Sequence, residues 1–239
     1  MEQIDELIVG GYRIYQQGNL FRFGMDAVLL YSIIPPQAGI TVDLCSGNGA
    51  VALLALAGGK SERVTALELQ SRGCDLCRKS ARLNGCEDRL NVVEGDIRHI
   101  SEILSAECAD TVTVNPPYFK RGCGLLPAEN AIAIARHEVE CTIDDVLEAA
   151  RYLLKDGGIF CMVHRTDRQK EICSKIQKYD LYSTEITTVH SLPGKPGELF
   201  LLRACKGEKN AECKQNTFTL MNQDHTLSDA YKSIYGGAK

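Results

Sequence analysis

Thr41-Val42-Asp43-Leu44-Cys45-Ser46-Gly47-Asn48-Gly49 is a short apolar run that breaks into a glycine turn. Ala50–Ala57 follows, apolar on every face, which suits a helix buried against a sheet. The same alternation repeats outward from this unit. Val64–Leu67 is the next strand and ends at Glu68. Ser71–Asn84 reads as a helix capped by Ser71 and stopped by Asn84-Gly85. Leu90–Val93 is a third strand, and Thr111–Val114 a fourth that runs into Asn115-Pro116-Pro117-Tyr118. Thr142–Leu154 is a helix whose Thr142-x-x-Asp145 forms a capping box with Asp in the usual Glu position. Gly157-Gly158 ends it, and Ile159–Val163 is a fifth strand. Arg168–Tyr179 is a basic amphipathic helix, and Ile186–Val189 and Leu199–Ala204 are apolar runs separated by the loop Leu192–Gly197. Cys205–Asn216 reads as a mobile polar loop, with Thr217–Met221 a short strand and Ser228–Tyr235 a short helix after it. Alternation of this kind predicts an α/β fold, Rossmann-like and doubly wound, with a mostly parallel sheet and helices on both faces.

Ligands in such sheets bind at the carboxyl ends of the strands, and the notable residues here all follow strands directly. Gly47 and Gly49 allow a tight turn and close approach of the backbone to a ligand. Continued to Ala52, the pattern is G-x-G-x-x-A, which also fits a dinucleotide fingerprint. Glu68 lies 19 residues beyond Gly49, where a carboxylate can accept hydrogen bonds from both ribose hydroxyls. NAD and S-adenosylmethionine both fit that far. Asp43 favours the second, because a carboxylate there repels a pyrophosphate but holds the amino group of methionine. Asp96 can accept from the adenine amine while Ile97 contacts the ring, although Asp96 could equally cap a helix. An anionic pocket suits a sulfonium cation. The candidate cofactor residues are Asp43, Ser46, Gly47, Asn48, Gly49, Glu68, Leu69, Asp96, Ile97 and Asn115.

Asn115-Pro116-Pro117-Tyr118 carries the chemistry. Two prolines cannot continue a central strand, and the residue before a proline is pushed into an extended conformation that fixes where the Asn points. Its amide oxygen and the Pro116 carbonyl can converge on a planar –NH2 group. Accepting both hydrogens draws the nitrogen lone pair out of conjugation and makes it nucleophilic toward a methyl donor. Tyr118 can stack on the ring bearing that amine or face a sulfonium charge. A proline-rich turn that merely ends a strand is the plainer reading.

With these motifs the sequence resembles the class I S-adenosylmethionine-dependent methyltransferases that carry an NPPY motif and methylate exocyclic amines or amides. Within them it is most similar to the bacterial tRNA adenine-N6 methyltransferases that modify adenine 37 of valine tRNA. Three further segments carry the closer likeness: Phe21–Leu30, whose Asp26 matches the family's cofactor-flanking Asp; Ala135-Arg136-His137-Glu138; and Asp224–Tyr231. The resemblance implies a seven-stranded sheet, S-adenosylmethionine as cofactor, tRNA as substrate, Asp26 beside the cofactor, and Asn115, Pro116, Pro117 and Tyr118 as the catalytic motif. Cys45 departs from the family, where a small Gly is commoner. Competing readings are other NPPY enzymes acting on an rRNA or DNA base or a glutamine amide, an NAD oxidoreductase, and a non-catalytic module that binds adenosylmethionine. A helical domain preceding the cofactor motif, a target-recognition insertion and a Phe in place of Tyr118 would mark the other NPPY enzymes, and none is visible.

Composition frames this reading. The 239 residues are 44% hydrophobic and 24% charged, which excludes disorder, collagen-like repeats and coiled coil. The apolar runs Ala50–Ala57 and Ala27–Pro36 fall short of the roughly 18 residues a membrane span needs. No signal peptide is visible, so a cytoplasmic enzyme without membrane attachment is expected. One domain is expected, with residues 1–40 flanking, 41–204 as core and 205–239 as tail. Eleven cysteines read as small buried hydrophobes kept reduced, and Cys74-x-x-Cys77 lacks a second pair, so no metal is expected. Net charge is −4, carried by residues 1–114 with 10 Lys and Arg against 15 Asp and Glu; residues 115–239 hold 17 against 16. An RNA must therefore meet a local patch. Lys120, Arg121 and Arg136, beside the NPPY motif, are the candidate RNA contacts along with Tyr118, and Arg165, Arg168 and Lys170 follow the next strand.

Overall fold

A computed structural model of the chain describes residues 2–7, 9–18, 24–116, 141–210 and 212–236. The central element is an eight-stranded sheet built from β3 (Ile40–Leu44), β4 (Arg63–Glu68), β5 (Leu90–Glu94), β6 (Ala109–Val114), β7 (Leu154–Arg165), β8 (Leu181–His190), β9 (Gly197–Lys206) and β10 (Lys214–Thr219). Its order is β10-β8-β9-β7-β6-β3-β4-β5, and only β9 runs against its neighbours. The expected doubly wound α/β sheet is therefore present, with eight strands in place of seven. The eighth is β10, expected as a short strand over Thr217–Met221 and found to start earlier, at Lys214, where it pairs in parallel with β8 opposite Glu185. Its exposed polar residues give no apolar alternation, but as an edge strand it gains its backbone hydrogen bonds from β8 without needing an apolar face. It shortens the loop expected over Cys205–Asn216, since β9 also runs on to Lys206.

Helices α1 (Met25–Ile33), α2 (Ala50–Ala57) and α3 (Ser71–Asn84) supply one apolar cluster, joined by Tyr231 of α7 (Asp229–Gly236). Helices α4 (Ile100–Ile103), α5 (Ile143–Leu153) and α6 (Gln169–Lys175) supply the other. The all-round apolar α2 is buried from Ala50 to Leu56, as a helix packed in such a layer must be. Thr142 and Asp145 close the expected capping box: the Asp145 amide donates to Thr142 Oγ1 and the Thr142 amide to Asp145 Oδ2. Among the boundaries that differ from expectation, two have a specific cause. The cap of α3 is Gln70, because the Ser71 hydroxyl turns away to donate to Glu94 Oε1 at 2.6 Å. Gly157-Gly158 does not separate α5 from its strand. β7 starts at Leu154, opposite Ala109, and bulges through the glycines before regaining register at Thr111 and Ile159.

The stretch ahead of β3 carries a hairpin and the helix α1. β1 (Glu2–Glu6) and β2 (Arg13–Gln17) form an antiparallel hairpin docked on α3. The Tyr15 amide donates to Ser80 Oγ, Asn84 clasps both backbone groups of Arg13, and Glu2 lies between Arg72 and Lys79. No described helix is long and apolar enough to cross a membrane.

Candidate active site

Pairing of β3 with β4 and β6 brings the expected cofactor residues to one edge. Leu44 lies opposite Leu67 on one side and Val114 on the other, so the glycine turn, Glu68 and Asn115 leave neighbouring strands at the same level. The turn is tight. Gly49 has φ +83°, a region that L side chains rarely adopt, and a Cβ there would stand 2.3 Å from Cys77 Sγ in α3. Cys45 also adopts a positive φ, +54°, although it is not glycine. A residue there carries roughly 1 to 2 kcal/mol of backbone strain. Cys45→Gly is therefore expected to keep unfolding stability within about 1 kcal/mol of the wild type. Cys45→Val, β-branched in the same conformation, should lose about 2 kcal/mol or more in denaturant titration. The neighbouring Cys141 thiol, then burial, push the Cys45 thiol upward, so it stays protonated.

Glu68, 6% exposed, braces the turn: its Oε2 accepts the Gly47 amide at 2.8 Å and its Oε1 the Gln70 amide at 2.9 Å. Each oxygen keeps a second lone pair for a ligand hydroxyl. Glu68→Ala is expected to weaken adenosylmethionine binding about 10- to 100-fold, matching ~1.5–3 kcal/mol for a charged hydrogen bond. It should also lower stability by about 1–3 kcal/mol, because two amides lose their acceptor. Calorimetric titration and denaturant melts would measure the two effects, and unchanged affinity would remove Glu68 from the site.

Asp43 is 1% exposed. Its Oδ1 accepts from the Thr113 hydroxyl at 2.6 Å across the β3–β6 pair. Its Oδ2 and Ser46 Oγ are buried without a hydrogen-bond partner. Burial raises the carboxyl to about 7, against the pull of the Thr113 hydroxyl and the Ala52 amide, and the charge of Glu68 adds to the rise. Two buried polar atoms left open beside a glycine turn and flanked by acidic groups fit a cationic, hydroxyl-rich ligand. Thr113 was not among the sequence candidates. Its signal in the sequence was the repeated threonine of Thr111-Val112-Thr113-Val114, hydroxyls that a central strand buries, and Thr113 is 0% exposed.

Other candidates have different partners. The Asn48 side chain donates to the Tyr15 carbonyl at 3.0 Å, tying the turn to β2, while Arg72 Nε meets Gln17 Oε1. Asp96 realises the capping alternative: its Oδ1 accepts the Arg98 amide at 2.9 Å and the Arg98 guanidinium grips both oxygens, holding the carboxyl below its usual range. Ile97 behind it is buried and Leu69 half-buried. Asp26 sits half-buried in the first turn of α1. Asn115 is half-buried and Pro116 buried at the end of β6. Pro117, Tyr118, Lys120, Arg121 and Arg136 lie outside the described residues. His164, level with this edge on β7, is 2% exposed, and burial lowers it to about 4, so it stays neutral with Nδ1 accepting the Arg165 amide. Cys74 and Cys77 are both buried in α3, and among the described residues no cluster of three His, Cys, Asp or Glu is placed to hold a metal.

The model of the methyltransferase small domain matches residues 22–182. A tRNA1(Val) (adenine(37)-N6)-methyltransferase of Aeromonas hydrophila is 30% identical over 212 residues, covering 88% of this chain and 86% of that protein. Among solved structures, a predicted O-methyltransferase of Agrobacterium tumefaciens superposes with a TM-score of 0.71 at 22% identity, covering 90% of this chain and 97% of its own. A geranyl diphosphate C-methyltransferase of Streptomyces coelicolor, solved with S-adenosyl-L-homocysteine, gives a TM-score of 0.55 at 13% identity over 75% and 79% of the two chains. These structures share the fold. The chain is a member of the methyltransferase small domain family, an S-adenosylmethionine-dependent methyltransferase.

Proposed function

We propose that this methyltransferase modifies the exocyclic N6 of adenine in tRNA, at adenine 37 of valine tRNA, and works in the cytoplasm. The carrying observation is Asn115-Pro116 at the carboxyl end of β6, one strand from the glycine turn and in line with an intact Asn-Pro-Pro-Tyr run. The likeness to a protein of A. hydrophila named as a tRNA1(Val) (adenine(37)-N6)-methyltransferase supports the substrate.

When bound, S-adenosylmethionine supplies a methyl group on a sulfonium sulfur, open to attack by a nitrogen lone pair. The chain's residues prepare both partners. Asp43 and Ser46 would hold the methionine amine, Glu68 would accept from the ribose hydroxyls, and Leu69, Asp96 and Ile97 would border the adenine, with Asp26, Gly47, Asn48 and Gly49 shaping the turn. The Asn115 side-chain oxygen and the Pro116 carbonyl accept the two hydrogens of the target amine and localise its lone pair. Tyr118 stacks on the flipped base, and Lys120, Arg121 and Arg136 meet the RNA backbone. No base is needed before transfer, because the nitrogen is strongly acidic only once methylated and then releases its proton to water. A neutral His164 is consistent with that order.

The test is transfer of labelled methyl from adenosylmethionine to tRNA, rRNA, DNA and protein fractions, followed by nucleoside analysis. Label recovered as N6-methyladenosine in valine tRNA supports the proposal. Label in DNA, rRNA or glutamine overturns it.

A further inference from the structure

Past Asn115 the carboxyl edge of the sheet continues over β7, β9 and β8. Val114 lies opposite Met162, so Arg165 leaves β7 just beyond the level of Pro116. The β8–β9 connection, Ser191 to Pro196, turns at the same edge, with His190 opposite Gly197. These two segments are fastened together. The Thr166 hydroxyl donates to the Gly197 carbonyl at 2.7 Å. His190 Nδ1 bonds the Lys195 carbonyl at 2.7 Å, the Lys195 amide closes on the Leu192 carbonyl, and Pro193 and Pro196 fix φ on either side. Lys195 is thus carried on a stiff hairpin.

The charges at this edge are unequally committed. Arg168 is spent on Glu171, its Nε and Nη2 donating to the carboxylate at 2.6 and 2.9 Å. Among the described residues Arg165 makes only a loose pair with Asp167, 3.7 Å apart with both side chains more than half exposed. Glu198 accepts from Ser191. Lys170 and Lys195 are exposed, and neither forms an ion pair with a described residue. Exposed cations also stand at the opposite edge, Arg63 at the start of β4 and Lys209 beyond β9, so charge alone marks nothing. Position separates the two sets. Strands lie about 4.8 Å apart, which places β9 and β8 roughly 10 and 15 Å to one side of Asn115. Apart from Asp26 in α1 and Asn115 itself, the candidate cofactor residues lie in or follow β3, β4 and β5 on the other side. A base turned out of its stack toward Asn115 leaves its flanking phosphates outside the pocket, on the side the cofactor does not fill.

We propose that Arg165, Lys170 and Lys195 form a phosphate-binding rim that positions the tRNA backbone beside the target nucleotide. The rim rests on the tRNA reading above. Its residues touch neither the methyl group nor the amine, so they act on RNA binding and not on the chemical step.

The test uses the full chain and tRNA carrying the target adenine. Lys170→Gln with Lys195→Gln should raise KM for tRNA about 10-fold, with kcat at saturating tRNA and adenosylmethionine affinity unchanged. The dependence of log KM on log salt should become shallower by about 0.7 for each single-strand phosphate that the variant no longer neutralises. Lys195→Glu should raise KM further, and Arg63→Gln with Lys209→Gln should leave it unaltered. Unchanged cofactor affinity certifies that the variants fold. If the wild type methylates tRNA and the Lys170, Lys195 pair changes neither KM nor the salt slope, the rim is overturned while the tRNA reading stands. An equal loss in the Arg63, Lys209 control also overturns it. If the wild type transfers no methyl to tRNA, the tRNA reading has failed and the rim falls with it.

Discussion

Asn115→Ala is expected to lower the turnover of methyl transfer to tRNA by about 100-fold or more, the scale of losing one transition-state hydrogen bond. Its adenosylmethionine affinity should stay within a few-fold of the wild type. The split follows from the role proposed for the side chain. The target nitrogen starts conjugated with its ring and gives up that conjugation only as it attacks. An acceptor placed on its hydrogens at the end of β6 therefore gains strength toward the transition state and contributes little to either ground state. Pro116, buried beside it, holds the second acceptor as a backbone carbonyl that no side-chain substitution removes. Single-turnover rates with saturating RNA isolate the step, and calorimetric titration follows the cofactor. Transfer at the wild-type rate in Asn115→Ala would mean that the amine is activated elsewhere and that Asn-Pro-Pro-Tyr is only a turn.

Much of the sheet was legible because its cues are local. The α2 helix coincides with the expected Ala50–Ala57, since a run apolar on every side has only a two-sided apolar environment to occupy. Thr142 and Asp145 announce the start of α5 within four residues. What could not be read depends on partners distant in sequence. The pairing of Asp43 with Thr113 joins positions 70 residues apart and exists only through the β3–β6 register. Glu68 was read as a ribose acceptor, but its hold on the Gly47 amide needs the return of β4 beside β3. Gly157-Gly158 carries an ordinary stop signal and lies instead in a bulge, because pairing with β6 and β9 outweighs it. The β1–β2 hairpin escaped for a related reason. Glu2–Glu6 is largely polar, and its place is fixed by Arg72 and Lys79 of α3 rather than by an apolar stripe of its own. Cys45 was legible as a departure from the family, and its φ of +54° gives the departure a physical meaning.

Binding of adenosylmethionine is expected to strengthen about tenfold per pH unit from pH 5 toward 7, the largest change in affinity that the site's charges dictate. Asp43 is the cause. Burial raises its carboxyl to about 7, so below that pH the free protein holds it neutral. In the proposed role Asp43 meets the methionine ammonium as a carboxylate, so each binding event in this range would expel its proton. Above roughly pH 8 the ammonium itself deprotonates, an α-amino group titrating near 7.7–8.0, and affinity should fall again. Stability of the free protein runs the opposite way. The folded pKa lies above the unfolded one, so between about 4 and 7 the folded state retains a proton that the unfolded chain has lost. Stability then drops with rising pH across that window by up to about 1.4 kcal/mol per unit, and is lowest once Asp43 is ionised. Asp43→Asn separates this carboxyl from every other titrating group. It should bind the cofactor more weakly at pH 7 but without the acidic limb, and it should be more stable than the wild type at pH 8. Titration calorimetry at pH 6 in buffers of different ionisation enthalpy gives the proton count directly: close to one released by the wild type, close to none by Asp43→Asn. An acidic limb that survives intact in the variant would take Asp43 out of contact with the methionine amine and assign the titration to another group of the pocket.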